Sequence, residues 1–307
     1  MNVMFGEFFY WIFNMSIIAA FMGLIILPVR AIRAIPRRIS LLLWAVPFIR
    51  MSVPVGLTSH YSLMTLISRF TTKTVTVYQP ADEISFSVTN SLMAANSYFP
   101  ITYKVKLLED VFAAASLIWL VAALAIIIAL GILYFTTLHE IKGAKHLQGN
   151  VYLSEKVQSP AVYGIFKPKI ILPSSFEFVD NSYILKHENT HIRRKDNLWR
   201  ILAFLVAAVH WFNPLSWLFL KLFLTDLELA CDESAIAEYN EKQRKEYAKA
   251  LVDIAESKSL FASAFGGAKI RTRVESILSY KRMTWLSLLG FSALILSVII
   301  VLLTNAG

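Results

Sequence analysis

Tyr183-Ile184-Leu185-Lys186-His187-Glu188-Asn189-Thr190-His191-Ile192-Arg193-Arg194-Lys195-Asp196 carries two histidines four positions apart. No proline or glycine interrupts the stretch, so it reads as a helix. On a helix, residues four apart share a face, and the two imidazoles of His187 and His191 can meet a single ion. Glu188 borders that face and can reach a water bound to the ion. This is the His-Glu-x-x-His arrangement of zinc proteases, in which Glu188 is the catalytic base. A short motif can also arise by accident on a charged helix, so the rest of the chain decides its weight.

Working outward, 56% of the 307 residues are hydrophobic, and the mean hydropathy of +0.56 is too high for an ordinary soluble domain. Three uncharged runs, 8–29, 111–138 and 284–307, reach the roughly 20 residues that span a bilayer core. A fourth run, 39–59, is broken only by Arg50. The first run is too long for a signal-peptide core and lacks a small-residue cleavage site, so it reads as a retained span. Arg30, Arg33, Arg37 and Arg38 crowd the first connection with no acid among them, which places that loop inside. The expected organisation follows. Residues 1–59 form a transmembrane hairpin with spans at about 8–29 and 39–59, and residues 60–110 an extracytoplasmic loop. Residues 111–138 are a third span, 139–283 a cytoplasmic domain and 284–307 a fourth span, with both termini outside.

The net charge of +9 is not read as a nucleic-acid footprint. The cytoplasmic stretch holds 21 Lys/Arg against 16 Asp/Glu, spread along its length, as expected of a basic face beside anionic lipid. The single Cys231 excludes an internal disulfide framework and fits a reducing compartment. Arg50, inside the second run, is either paired and functional or snorkelling to the interface.

Within the cytoplasmic stretch, 151–153, 161–163 and 169–172 read as short strands of a small antiparallel sheet, punctuated by Pro160, Gly164, Pro168 and Pro173. A free edge strand there could hold an extended peptide, or the strands could simply pack under the helix. Residues 71–78 also favour strand. Asp180 or Asn181 is placed to cap the motif helix. After it, 198–224 is apolar apart from Arg200, His210 and Lys221 and looks like a further span. A third metal ligand must lie on the same side of the membrane as His187 and His191, so the run has to return. Asn213-Pro214 splits it, and 198–211 as a helix is only about 21 Å long against a hydrocarbon core of about 30 Å. A re-entrant or interfacial helical hairpin is therefore expected at 198–224.

The run returns Asp226-Leu-Glu228-Leu-Ala-Cys231-Asp232-Glu233. Glu228 and Asp232 share a helical face. Zinc in hydrolases is commonly held by two histidines and a carboxylate, and Glu228 is the first choice for the third ligand, with Asp232 or Glu233 as alternatives. Asp232, if not a ligand, can accept the outer N–H of a ligating histidine and fix its tautomer; Asp196 is a second candidate for that task. Cys231 could bind zinc but reads more simply as a small buried residue, and His210 as an interior histidine. The tail 242–283 is polar and helical, with a loop at 265–267 that could be a hinge, a cleavable linker or a plain connection.

These pieces, in this order, resemble the BlaR/MecR-type antirepressor membrane zinc peptidases. The resemblance rests on Ser159-Pro-Ala-Val-Tyr-Gly-Ile-Phe-Lys-Pro-Lys-Ile-Ile-Leu-Pro173, then 187–196, then Asn213-Pro214, then Glu228-Leu-Ala-Cys-Asp-Glu233. It implies a gluzincin site with one Zn2+ held by His187, His191 and Glu228, and Glu188 as base. It also implies a protease that cleaves itself and leads to loss of a DNA-bound repressor. No Ser-x-x-Lys setting of a penicillin-binding sensor follows the last span, so sensing of β-lactams by this polypeptide is not expected. Asn189 and Thr190 are polar where such helices often carry an aliphatic residue.

The expected fold is thus mainly α: four transmembrane helices, a cytoplasmic α+β gluzincin-like zinc protease domain and an embedded hairpin. The expected setting is a bacterial cell membrane, crossed several times. The expected partners are the bilayer and a protein substrate, a cytoplasmic winged-helix repressor, with no direct nucleic-acid contact and a homodimer as a possible assembly. A housekeeping membrane protease of the HtpX or CAAX type is the alternative within the same chemistry. A non-catalytic receptor or scaffold is the alternative outside it, although structural zinc sites are usually cysteine-rich.

Overall fold

A computed structural model of the chain describes residues 2–32, 35–53, 58–62, 106–178, 180–256, 269–282 and 284–306. The strand expected at 71–78, most of the 60–110 loop and the loop at 265–267 lie outside the described residues. An uncharged run in an apolar setting can satisfy its backbone only within its own helix, and the three longest runs do so. Helix α1 covers Asn2–Ala31. The run at 39–59, expected as one span kinked by the flanking Pro47 and Pro54, is interrupted. It folds as α2 (Arg37–Leu43) and α3 (Ala45–Ser52), with a break at Trp44. Pro47 cannot donate to the carbonyl one turn earlier. The Trp44 indole N–H is drawn sideways to Asp226 Oδ2 at 2.8 Å. Beyond it, β1 (Thr58–Ser59) precedes α4 (Lys106–Glu140).

The chain then builds a four-stranded sheet from β2 (Lys145–Gln148), β3 (Val151–Ser154), β4 (Ala161–Tyr163) and β5 (Lys169–Pro173). The strand order is β2-β3-β5-β4. The sheet is mixed, not antiparallel as expected, because β4 and β5 form a hairpin and β5 slots between β4 and β3, parallel to β3. The hairpin turn needs Gly164, whose φ is +88° and where a Cβ would lie 3.1 Å from the Lys167 carbonyl oxygen. Ile170, Ile171 and Leu172 of central β5 are all buried, as a strand covered on both faces requires.

Helices α5 (Ser182–Arg194), α6 (Asp196–Val209), α7 (Pro214–Ala235), α8 (Glu241–Glu256) and α9 (Ile270–Leu278) follow. The last apolar helix is α10 (Trp285–Leu303), started by the Thr284 hydroxyl, which accepts the Ser287 N–H. After it, β6 (Asn305–Ala306) pairs in parallel with β1, Thr58 opposite Asn305. Among the described residues, α1, α4 and α10 are the helices long and apolar enough to cross a bilayer. Leu117, Ile118, Phe135 and Leu286 on the latter two are largely exposed. Such continuous apolar surface marks a helix built for lipid or for a partner.

Helices α6 and α7 form a hairpin whose turn is His210–Asn213. Asn213 accepts the Leu215 N–H and Pro214 opens α7, a favourable pairing of cap and first helical residue. The tip is stitched to neighbouring helices. Asn213 Nδ2 donates to Ser16 Oγ at 2.8 Å, Trp119 Nε1 donates to the Val209 carbonyl at 2.7 Å, and Phe212 stacks on Phe13. At the other end Arg30 pairs with Asp226 at 2.6 Å. Ser16 to Arg30 on α1 and Asn213 to Asp226 on α7 each rise about 20 Å, so the two helices run side by side over that depth. Between these contacts Gly23 faces Phe219, and a Cβ there would lie 2.1 Å from the ring.

Candidate metal centre

The motif helix α5 is positioned by its buried side. Ile184 packs with Val151, Leu153, Ile170 and Leu172 of the sheet. That anchor turns His187, Glu188 and His191, all 5–6% exposed, towards α7. At its N-terminus Asp180 Oδ1 accepts the Ser182 N–H, while Asn181 turns away to donate to the Phe176 carbonyl. At its C-terminus Lys195 adopts φ +56°, a left-handed cap unusual for a residue with a side chain. The sharp turn lets Asp196, first in α6, face back onto α5.

Three side chains converge. His187 Nε2 and His191 Nε2 lie 3.1 Å apart. Glu228 of α7 brings Oε2 to 3.8 Å from the first and Oε1 to 3.7 Å from the second. A tetrahedral zinc with bonds of about 2.0–2.1 Å holds its donors about 3.3 Å apart, so the spacings need only small adjustments to take one ion. The outer nitrogens are held as ligating imidazoles usually are. His191 Nδ1 lies 2.6 Å from Asp196 Oδ2, and His187 Nδ1 2.8 Å from the Tyr247 hydroxyl and 3.2 Å from Asp232 Oδ1. Tyr247 also donates to Asp232 Oδ1 at 2.8 Å. The donor chemistry and its supports fit a metal ion.

Cys231 is a competing donor. Its ligand atom and those of His187 and His191 lie within 4.8 Å of one another. It approaches His187 from the Nδ1 side, at 3.7 Å, and is 3.6 Å from the His187 carbonyl oxygen. The two Nε2 atoms face Glu228, so the geometry favours the carboxylate as the third donor. Glu233 lies elsewhere, accepting from the Arg38 backbone N–H at 3.2 Å.

Electrostatics follow from this crowding. Burial opposes charge on both imidazoles, but the surrounding anionic groups outweigh it, raising His187 well above its usual value and His191 to about 9. Burial likewise penalises the Glu228 carboxylate, yet His191, Arg200, His187 and Arg273 hold it well below the usual range. Arg200 of α6 hydrogen-bonds Glu228 Oε1. Burial and then the charge of Glu188 raise the Tyr163 phenol at the end of β4, so the edge strand and the Glu188 carboxylate are electrostatic neighbours. Asn197 Nδ2 donates to the carbonyls of Val162 and Gly164. The Val162 carbonyl on the edge strand is therefore already engaged.

The structure thus gathers His187, Glu188, His191, Glu228, Asp232 and Asp196. It adds Arg200, Tyr247 and Arg273, which sequence reasoning did not single out. Arg200 left one signal, a charge inside an apolar run. Tyr247 and Arg273 left none, lying 15 and 41 positions from the Asp232 they contact.

Helices long and apolar enough to cross a bilayer, together with a buried histidine pair supported by carboxylates, define a membrane-type protein with a metallopeptidase-like centre. The chain belongs to the BlaR1 peptidase M56 family, whose model matches residues 10–277. It is 29% identical over 155 residues to the regulatory protein BlaR1 of Bacillus licheniformis, covering 47% of this chain and 26% of that protein. It is 25% identical over 112 residues to the methicillin resistance mecR1 protein of Staphylococcus aureus strain Mu50, covering 35% and 19%. The BlaR1 of Staphylococcus aureus is 26% identical over 125 residues, covering 38% and 21%. The matches span about a fifth to a quarter of these relatives. The BlaR/MecR resemblance seen in the motifs is borne out.

Proposed function

We propose that the chain is a membrane-embedded zinc metalloendopeptidase acting in signal transduction, which cleaves itself or a cytoplasmic winged-helix repressor when a signal reaches it through the membrane. The observation that carries this reading is the convergence of both Nε2 atoms on Glu228 while both Nδ1 atoms are held from behind. The chain's kinship with proteins named as regulators supports the signalling part.

In this reading His187, His191 and Glu228 hold the ion. Bound there, zinc supplies a water with a pKa lowered to about 7 and a Lewis acid for the scissile carbonyl. Glu188 accepts the attacking water's proton on its carboxylate and returns it to the leaving amine. Asp196 and, with Tyr247, Asp232 keep the imidazoles in the tautomer that presents a lone pair inward. Burial of His187, Glu188 and His191 limits the access of bulk water to the centre.

A four-span topology with a gluzincin-like domain inside completes the reading. The parallel pairing of Thr58 with Asn305 supports it, because the 39–59 run then ends level with the end of α10. Arg30, Arg38 and Arg282 bond Asp226, Glu233 and Glu238 beside the centre. Arginines gathered at that end support a cytoplasmic placement. The test is full-length Glu188→Gln protein co-expressed with a candidate winged-helix repressor. The variant is expected to keep its metal and leave both itself and the repressor intact. Cleavage at the wild-type rate would sink the assignment.

A further inference from the structure

Among the described residues, Arg273 is the buried charge of the centre that the proposed chemistry leaves without a task. It is 9% exposed and comes from α9, joined to α10 by residues 279–284. Its guanidinium grips both oxygens of Asp232, Nε to Oδ2 and Nη2 to Oδ1, each at 2.7 Å. Only arginine offers that planar fork. The group also reaches the ligand side of the centre. Nη2 is 3.1 Å from His187 Nε2 and Nη1 is 3.5 Å from Glu228 Oε2. Helix α9 is seated by Ile277, 1% exposed among Tyr247, Ala248 and Leu251 of α8. The chain just beyond is tied down by Arg244, which donates to the Tyr280 carbonyl at 2.7 Å, and by Arg282, which donates to the Glu238 carbonyl.

We propose that Arg273 is a positioning residue of the metal centre, fixing Asp232 and through it the His187 ring, so that the centre is complete only while α9 is docked. This rests on the reading of His187, His191 and Glu228 as metal ligands. Without the fork, Asp232 is a buried carboxylate whose charge is no longer balanced, and it must rotate or take a proton. Either change releases the tautomer and orientation of His187. Because α9 runs into α10 through a short tethered connection, displacing the last apolar helix strains the seat of Arg273. The site can therefore be weakened from the membrane without any ligand being altered.

The test is zinc affinity of the full-length protein in lipid nanodiscs, measured by competition with a chromophoric chelator, with melting of the metal-free protein as a check on folding. Arg273→Gln is expected to lower affinity about tenfold or more. Arg273→Lys, which keeps the charge but not the fork, should recover only part of the loss. Ile277→Ala, which loosens α9 away from the centre, should weaken zinc in the same direction. Arg271→Gln, on the exposed side of the same helix, should leave affinity unchanged. Wild-type affinity in Arg273→Gln overturns the proposal. Higher affinity overturns it too, since Arg273 would then be competing with the ion for His187 Nε2. If the glutamine variant does not fold, wild-type affinity in Arg273→Lys overturns the fork. A wild-type chain that takes up no zinc defeats the underlying ligand reading instead.

Discussion

At the scale of single residues, the carboxylates behind the histidines set the chemistry. Asp196→Asn and Asp232→Asn remove the charge that each imidazole leans on, and each is expected to cost 10–100-fold in zinc affinity. Competition with a chelator measures both, and unchanged affinity in either would remove that residue from the centre. The same assay separates the two candidate third donors. Glu228→Ala should abolish stoichiometric zinc, whereas Cys231→Ala should leave it in place. Proton linkage gives a further check. His191 is raised to about 9 from an unfolded value of about 6.5. Its contribution to the metal-free fold is therefore fully present below about pH 6.5 and is lost as the pH rises through about 9. Chelator-treated protein should melt progressively lower over that window. Zinc-loaded protein should gain stability over the same window, because the ion displaces those protons. The facing of His187 and His191, and of Glu228 and Asp232, was legible because a helical spacing of four writes itself into the sequence. Tyr247 and Arg273 were not, since their contacts are made by tertiary packing alone.

At the scale of elements, two backbone features hold the centre together. Lys195 spends its left-handed φ to aim Asp196 at His191. Lys195→Gly, which removes the Cβ that strains this conformation, should relieve up to about 1–2 kcal/mol, read by thermal melting, while Lys195→Ile, branched at Cβ, should destabilise. The approach of α7 to α1 depends on Gly23. A methyl there must move the fully buried Phe219 ring, so Gly23→Ala should cost about 1–3 kcal/mol. Gly23→Ala combined with Phe219→Leu should recover part of it, and simple additivity of the two changes would argue against the contact. The return of the 198–224 run could be inferred from Asn213-Pro214 because a cap residue followed by proline is a local signal. A kink in the 39–59 run was legible from Pro47 and Pro54, but its place at Trp44 was not, for the indole there bonds an aspartate 182 positions away. The mixed sheet was hidden for the same reason: residue types reveal strands, but not which strand slides between two others.

At the scale of the whole molecule, topology is the open quantity with a direct readout. A cysteine placed at His60 should react with a membrane-impermeant thiol reagent added outside intact cells. A cysteine at Phe166, 96% exposed on the sheet side, should react only after permeabilisation, and native Cys231 is buried and silent. Labelling of both positions from one side would defeat the four-span arrangement. Length and hydropathy made the three bilayer-length apolar helices legible at this scale.

Helix α7 carries one more consequence. Glu228 stands on the same unbroken rod as the hairpin tip, and that rod is pinned to α1 at Ser16, near Gly23 and at Arg30. A slip of one residue along it moves the carboxylate about 1.5 Å and swings it about 100°, most of a metal–ligand bond length and off the correct face. The packing of α7 on α1 therefore acts as the gauge that sets the height and face of Glu228. The sheet and the motif helix bring the two histidines, while the register of Glu228 is held both beside it, by Arg30 on Asp226, and some 20 Å away, among the side chains that clasp the hairpin's tip.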